Sequence, residues 1–162
     1  MNILVLCTGN SARSILLESE LNVASNGRIT AYSAGSNPSG KVHPQSITLL
    51  SALGRDMSDA RSKSWNEFEG DDAPVMDAVI TVCGSAAAEA CPYWPGAPVQ
   101  SHWGVEDPAA AAPEDWTGAF DTAYDILSRR AAALINLPIE TLDAATLKVE
   151  LDRIGLENFH DP

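Results

Sequence analysis

The chain opens with a short apolar run that leads directly into a cysteine and a loop of small residues. Residues Ile3 to Leu6 are all apolar, and the next residues are Cys7-Thr8-Gly9-Asn10-Ser11-Ala12-Arg13-Ser14. A helix-like stretch, Ile15 to Leu21, follows this loop. A strand, a small-residue loop and a helix start form an anion cradle, because the loop amides point inward and the helix dipole adds roughly half a positive charge. The sequence therefore predicts a β-strand–loop–α-helix unit that binds an oxyanion.

Two residues of this unit carry chemistry that suits a bound oxyanion. The positive field of the loop favours the thiolate form of Cys7, which is a nucleophile. The planar guanidinium of Arg13 can hold two oxygens of the anion. Asn10 tolerates a left-handed backbone that holds the loop open, and the Ser14 hydroxyl can either donate to the thiolate or cap the helix. The opposing interpretation is a buried structural cysteine, with Arg13 on a solvated helix face.

The charge balance of the chain limits the partners that it can have. The 162 residues carry a formal net charge of −12 at neutral pH. This charge predicts no binding to nucleic acid, whose affinity for proteins comes from Lys and Arg, and no binding to an anionic membrane surface. No apolar run approaches the ~20 residues that a bilayer span needs. An acidic protein that binds an anion must do so locally, through backbone amides and a single Arg.

The N-terminus and the cysteine count predict the compartment. No basic region precedes the short apolar stretch, which is therefore expected to be a strand and not a signal peptide. The chain has three cysteines, which cannot all pair with one another. We therefore expect a cytoplasmic protein in a reducing compartment, where thiols are either reactive or buried.

Strand-like and helix-like segments alternate along the chain. The predicted strands are residues 2–6, 29–33, 77–82 and 99–102. The predicted helices are residues 14–25, 44–53, 65–69, 84–91, 114–136 and 143–154. This alternation predicts an α/β protein with a three-layer fold, in which helices flank a four-stranded parallel sheet. We expect one domain over residues 1–140, followed by a C-terminal helical tail, residues 141–162, with no assigned role.

Cys7 and Cys83 each stand at the carboxyl end of a predicted strand, the edge of a parallel sheet at which ligands bind. They can therefore be neighbours in space. Cys91 follows Cys83 after seven residues, and such a pair suits a thiol–disulfide relay. Two alternatives stay open for the pair: two core cysteines, or a zinc site that also uses His102.

Asp107 lies in an acidic loop, directly before Pro108. A carboxylic acid brought near an oxyanion can protonate a departing oxygen, although an Asp before a Pro is more often a turn residue. The three histidines follow no pattern and are expected to be structural or exposed; they are His43, His102 and His160.

The segment from Cys7 to Ser14 resembles the phosphate loop of the low-molecular-weight protein tyrosine phosphatases and of the arsenate reductases built on that fold. Three segments extend the resemblance over roughly residues 1–137, and they are Tyr32-Ser33-Ala34-Gly35, Arg61-Ser62-Lys63-Ser64-Trp65 and His102-Trp103-Gly104-Val105-Glu106-Asp107-Pro108. Cys83 and Cys91 stand where the reductases carry a distal cysteine pair, which the phosphatases do not need. The resemblance therefore implies the low-molecular-weight phosphatase fold and favours the reductase branch.

The resemblance also implies a mechanism. Arsenate, with phosphate or sulfate as analogues, would bind to Thr8, Gly9, Asn10, Ser11, Ala12, Arg13 and Ser14. Cys7 would attack arsenic while Asp107 protonates the leaving oxygen. Cys83 would then attack the Cys7 sulfur and expel arsenite, and Cys91 would move the disulfide to Cys83–Cys91. No bound cofactor is implied, because an external thiol reductant, thioredoxin or glutaredoxin with a small thiol, would restore the enzyme.

Two other functions remain open for the same residues: a tyrosine phosphatase, and a non-catalytic oxyanion-binding module. The cysteine pair is separated by seven residues, where the thioredoxin-coupled members have six. Some members also bind potassium near the loop through an Asn, a Glu, a Ser and an Asp. Asn10, Glu18 and Ser33 match the first three of these ligands, whereas Trp65 stands at the fourth, and we expect no metal.

Overall fold

One parallel sheet of four strands forms the centre of the protein, in a computed structural model that describes residues 1–84, 86 and 94–158. The strands are β1 (Asn2–Cys7), β2 (Thr30–Gly35), β3 (Ala78–Thr81) and β4 (Val99–His102). The spatial order is β2-β1-β3-β4, and every neighbouring pair is parallel. The prediction of an α/β fold with a four-stranded parallel sheet is confirmed.

Four helices and three short 3₁₀ turns complete the described chain. The helices are α1 (Arg13–Ala24), α2 (Pro44–Ala52), α3 (Trp116–Ile135) and α4 (Ala144–Leu156), and the 3₁₀ turns are Trp65–Phe68, Pro108–Ala110 and Pro113–Asp115. These bounds agree with the predicted helices to within two residues. Most of the helix predicted over residues 84–91 lies outside the described residues.

The apolar run of β1 is continuous because both of its faces are buried. Ile3 and Val5 point into a core that they share with the four helices, whereas Leu4 and Leu6 point into a smaller core with Phe68, and all four strand residues are fully buried. Parallel strands that are covered on both sides carry such unbroken apolar runs. This central strand therefore holds its carboxyl end, which is Cys7, at a fixed place in the molecule.

Strand β2 extends two residues beyond its predicted end. The small residues Ala34 and Gly35 suggested a loop, but they pair with Leu6 and Cys7 of β1. The Gly35 amide also donates to the carbonyl of Lys63 at 2.9 Å. The sequence signal was misleading because Gly35 is small for a different reason, which is the close approach of the neighbouring loop.

The predicted C-terminal helix forms and packs on β4. Leu147, Leu151 and Ile154 are buried in the larger core, and the Trp103 indole donates to the carbonyl of Leu151 at 2.9 Å. A Cβ atom at Gly155 would lie 2.4 Å from a backbone oxygen of β4. Helix α4 therefore shares the core of the preceding residues. None of the described helices has the length and apolar character that a membrane span requires.

Candidate active site

The predicted strand–loop–helix unit is present at the carboxyl edge of the sheet. Cys7 ends β1, residues 8–12 form the loop, and Arg13 begins α1. The Cys7 side chain is buried, and so is Cys83, which follows β3. The amide of Val82 donates to the carbonyl of Leu6 at 2.9 Å, so the ends of β1 and β3 lie side by side. The structure therefore brings both cysteines to one edge of the sheet, as the sequence predicts.

The carbonyl groups of the loop are held outward by donors from other segments. The carbonyls of Thr8, Gly9 and Ser11 all accept hydrogen bonds of 2.9–3.0 Å. The donors are the amides of Asn37, Ser39 and His43 and the hydroxyls of Ser46 and Ser62. In a trans peptide the carbonyl and the next amide point in opposite directions, and the amides of residues 9–12 donate to no described residue. The amides that follow these carbonyls, those of residues 9, 10 and 12, therefore face the inside of the loop, where an anion can accept from them.

A buried hydrogen-bond network connects Asn10 and Ser14 to the Cys7 sulfur. The Asn10 carboxamide oxygen accepts from the backbone amide of Lys63 at 2.9 Å, so its nitrogen donates, at 2.8 Å to Ser14 Oγ and at 3.0 Å to Ser33 Oγ. Ser14 Oγ lies 3.0 Å from Cys7 Sγ. Ser14 Oγ can accept from Asn10 and still donate its own proton. A thiolate at Cys7 could only accept, and the Ser14 hydroxyl would then be its donor.

Asn10 and Ser14 are the two loop residues whose roles the sequence left to the structure. Asn10 is fully buried and has a positive φ of 45°, as its expected left-handed backbone requires. The alternative that Ser14 caps α1 is wrong, because the cap position is Ala12 and no side chain among the described residues caps this helix. The contact with Cys7 is thus the role that the structure supports for the Ser14 hydroxyl.

Gly35 is a site residue that composition and spacing did not single out. A Cβ atom at this position would lie 2.4 Å from the carbonyl oxygen of Thr8 and 3.1 Å from the backbone nitrogen of Asn10. Only a residue without a side chain allows the loop to rest on the end of β2. The signal was present in the small-residue segment that ends β2, but the contact itself depends on the fold.

Arg13 points across the site to the loop that contains Asp107. Its Nη1 donates to the carbonyl of Val105 at 2.9 Å, and its Nη2 lies 3.4 Å from Asp107 Oδ2. The other carboxylate oxygen of Asp107 accepts from the amide of Ala109 at 3.1 Å and caps a 3₁₀ turn. Asp107 is therefore a turn residue that also contacts the arginine, and its role as an acid stays a prediction.

His43 connects the Asp107 loop to the phosphate loop. Its backbone amide donates to Ser11, and its ring lies edge-to-face against Trp116, with centroids 4.5 Å apart. The Trp116 indole in turn donates to the carbonyl of Ala111 at 3.0 Å. Burial lowers the pKa of His43, and the charge of Asp107 opposes this effect. The sequence predicts a structural or exposed histidine, and its position beside both loops could not be read from any pattern.

Cys83 reaches the phosphate loop through Thr8. Its sulfur lies 3.6 Å from Thr8 Oγ1 and accepts from the amide of Ala86 at 3.4 Å. Cys7 and Cys83 are both free thiols. Cys91 lies outside the described residues, and with it the predictions of a Cys83–Cys91 pair and of the alternative zinc site.

A lysine stands among the residues that match the potassium ligands of some relatives. The Lys63 ammonium lies 3.4 Å from Ser33 Oγ and 3.8 Å from Glu18 Oε2. Burial lowers the pKa of Lys63, and the negative charge of Glu18 opposes this effect. Trp65 offers no carboxylate, and a metal cation here would meet the ammonium. The residues present therefore do not fit a bound potassium ion.

Comparisons with known proteins agree with this geometry. A family model described as low molecular weight phosphotyrosine protein phosphatase matches residues 2–148. Arsenate reductase 1 of Staphylococcus epidermidis is 35% identical over 112 residues, which are 69% of this chain and 79% of that protein. A solved arsenate reductase in the phosphate-binding state has a TM-score of 0.63 and 27% identity, covering 83% of this chain and 95% of that chain. A thioredoxin-dependent arsenate reductase of Corynebacterium glutamicum has a TM-score of 0.55 and 27% identity. The match covers 81% of this chain and 61% of that chain.

Proposed function

The chain belongs to the low molecular weight phosphotyrosine protein phosphatase family, and we propose that it is an arsenate reductase that converts arsenate to arsenite. The observation that carries this proposal is the second thiol, Cys83, beside the phosphate loop. A phosphatase needs the loop, the arginine and an acid, but it has no use for a free thiol held at 3.6 Å from the hydroxyl of Thr8. The similarity to an arsenate reductase at 35% identity supports the same conclusion.

Arsenate binding uses the inward amides of the loop and the guanidinium of Arg13. Residues 9–12 present amides without described acceptors, and the dipole of α1 adds positive potential at the same point. Arg13 lies at the start of this helix and is only 15% exposed. A guanidinium with little solvent around it binds two oxygens of a tetrahedral anion more strongly than an exposed one. Phosphate and sulfate share this tetrahedral shape and serve as analogues.

The first chemical step joins Cys7 to arsenic. The thiolate, stabilised by the proton of Ser14, attacks As(V), and one oxygen leaves as water after it takes a proton from Asp107. The product is a covalent thioester-like adduct of arsenate on the Cys7 sulfur. In this proposal the turn that Asp107 caps positions its carboxyl beside the anion site.

The second step is the reduction. The Cys83 thiolate attacks the sulfur of Cys7, an S–S bond forms, and the S–As bond breaks. The electron pair of that bond stays with arsenic, which leaves as As(III) arsenite, and the two sulfurs are oxidised to a disulfide. The proximity of the β1 and β3 ends, joined by the bond from Val82 to Leu6, supports this step.

Regeneration requires an external thiol reductant, and we propose thioredoxin. Cys91 attacks Cys83, so the disulfide moves to Cys83–Cys91, from where the reductant removes it. The similarity to a thioredoxin-dependent reductase supports this donor, and glutaredoxin with a small thiol is the alternative. We propose no bound cofactor, because the thiols and the external donor account for both electrons.

The test measures arsenite produced from arsenate with each donor system in turn, and hydrolysis of p-nitrophenyl phosphate in parallel. We expect arsenite with a thiol donor, and no product of either kind from Cys7→Ser, because the hydroxyl of Ser does not ionise in this cradle. Phosphate ester hydrolysis without arsenite production would instead identify a phosphatase. No turnover with any donor, despite phosphate binding, would identify an oxyanion-binding module.

A further inference from the structure

Lys63 is a largely buried lysine beside the phosphate loop. Its side chain is 9% exposed, whereas the other two lysines of the chain, Lys41 and Lys148, are exposed or nearly half exposed. A buried charge costs stability unless oxygen atoms replace the water that it loses. Its position therefore requires an explanation, which the phosphate-binding and thiol chemistry described above does not supply.

Three oxygen acceptors surround the Lys63 ammonium. Ser33 Oγ and the carbonyl of Arg61 each lie 3.4 Å away, and Glu18 Oε2 lies 3.8 Å away. This carboxylate oxygen is buried and has no hydrogen-bond partner among the described residues, so the ammonium is the charge that balances it. An ammonium has three donors and no acceptor, which matches these three oxygens.

The Lys63 backbone is tied to the same loop. Its amide donates to the side chain of Asn10 at 2.9 Å, and its carbonyl accepts from the amide of Gly35 at 2.9 Å. Asn10 is the loop residue with the left-handed backbone, and Gly35 is the residue on which the loop rests. A continuous series of contacts thus runs from the ammonium to Ser33, Asn10 and Ser14 and ends at the Cys7 sulfur.

We propose that Lys63 is a positioning residue that serves as the built-in counter-cation of the phosphate loop. Its ammonium orients Ser33 and Asn10 and adds positive potential beneath the anion and the thiolate. Because the cation is covalently attached, this chain needs no free monovalent cation at the position. The proposal rests on the proposed function only in placing the anion and the thiolate at the loop, and its test uses neither arsenate nor a thiol donor.

The test measures two properties of the loop in Lys63 variants. The first is the affinity for inorganic phosphate, by calorimetry. The second is the rate at which iodoacetamide alkylates Cys7, in a background in which Cys83 and Cys91 are replaced by Ser. We expect Lys63→Ala and Lys63→Met each to reduce both quantities on the order of tenfold, the effect of losing a nearby charge in a partly buried site. The exposed Lys41→Ala is the matched control and should change neither quantity.

Chemical rescue separates the charge of Lys63 from its packing. In Lys63→Ala the removed side chain leaves space for a small cation, so methylammonium or potassium should restore both quantities in a saturable way. In Lys63→Met the apolar side chain occupies this space, and rescue should fail. The wild type should not respond to either cation. Tetramethylammonium chloride, which is too large for the space, keeps the ionic strength constant in every sample.

Three results would overturn the proposal. The first is wild-type phosphate affinity and alkylation rate in Lys63→Met, which would show that only the aliphatic stem matters. The second is a loss in Lys63→Ala that no small cation restores although circular dichroism shows a folded protein. The third is stimulation of the wild type by potassium. None of these results depends on arsenate turnover, so a failure of the proposed function would be recognised separately.

Discussion

The guanidinium of Arg13 lies 3.4 Å from the carboxylate of Asp107. The residue proposed to bind the oxyanion and the residue proposed to protonate it are therefore partners of each other. A bound oxyanion needs the same guanidinium, so it competes with Asp107 for Arg13. Substrate binding would in this way release the Asp107 carboxyl from Arg13 and leave it facing the oxygen that it is proposed to protonate.

Replacing Asp107 by Asn should change binding and chemistry in opposite directions. Phosphate should bind about two- to fivefold more tightly, the size expected from losing a half-exposed ion pair that competes for Arg13. Formation of the Cys7 adduct should slow by about 10²–10⁴, because the general acid is missing. Calorimetry measures the first effect and stopped-flow kinetics with arsenate the second. The control is Glu106→Gln, which removes one negative charge at the exposed neighbouring residue and should show neither effect. An unchanged rate of adduct formation in Asp107→Asn would exclude the acid role.

Arg13→Lys should weaken phosphate binding by roughly tenfold or more. An ammonium cannot make the two-pronged contact of a guanidinium, and its reach to the carbonyl of Val105 changes as well. Titration calorimetry with phosphate checks the change. Arg61→Lys is the matched control, because Arg61 pairs with the exposed Glu67 and should leave the affinity intact. Normal affinity in Arg13→Lys would place this residue outside the anion site.

Gly35→Ala should damage the loop more than the fold. The added Cβ would meet the Thr8 carbonyl at 2.4 Å, and strand and loop must then separate. We expect a loss of phosphate binding, together with a lower free energy of unfolding. Gly118→Ala, at an exposed position of α3 with open space for a Cβ, should instead stabilise the protein by about 0.5–1 kcal/mol. Calorimetry and urea unfolding test both variants, and intact binding in Gly35→Ala would contradict the described packing.

Acid stability should depend on Glu140. Its carboxylate binds Arg28, which lowers the pKa of Glu140 to about 2 from an ordinary 4.5, and Arg28 also donates to the carbonyls of Ile135 and Leu137 at the end of α3. A carboxylate whose pKa is lower in the folded than in the unfolded state stabilises the fold at pH values above its unfolded pKa. This stabilisation disappears as the pH falls from about 4.5 to about 2. Glu140→Gln should therefore be less stable than the wild type at pH 7, and the difference should shrink as the pH falls toward 3. Urea unfolding between pH 7 and pH 3 tests this, with the exposed Glu114→Gln as control.

The sequence predicted the fold and the central part of the site because both depend on local patterns. An apolar run, a Cys and an Arg six residues later define the loop at β1 and α1, and the parallel topology then brings Cys83 to the same edge. The contribution of Asn10 also followed from a local property, its tolerance of a left-handed backbone.

The sequence could not predict contacts that only the tertiary structure creates. Gly35 looked like part of a turn, but it is small because the loop packs on it. Lys63 was part of a recognised segment, yet nothing in its spacing indicated an ammonium held beside Ser33. His43 reaches Ser11 from a helix start more than thirty positions away. Such packing relationships have no periodic or compositional signal.

Separate replacements of Cys83 and Cys91 should stall the reaction at different intermediates. Cys83→Ser should allow the Cys7 adduct to form but release no arsenite, because no second thiol then attacks the Cys7 sulfur. Cys91→Ser should release one arsenite and stop with Cys7 joined to Cys83. Both of these sulfurs lie in buried residues, so we expect thioredoxin not to reach their disulfide.

Mass mapping of the stalled variants after one addition of arsenate distinguishes these states. An arsenic-bearing Cys7 peptide is expected for Cys83→Ser, and a linked pair of Cys7 and Cys83 peptides for Cys91→Ser. The variants differ because the ends of β1 and β3 lie close together, so Cys83 can attack the Cys7 sulfur without help from Cys91. Repeated turnover of Cys91→Ser with glutaredoxin and a small thiol would contradict the three-cysteine relay. The reaction would then use two cysteines, with the small thiol resolving the Cys7–Cys83 disulfide directly.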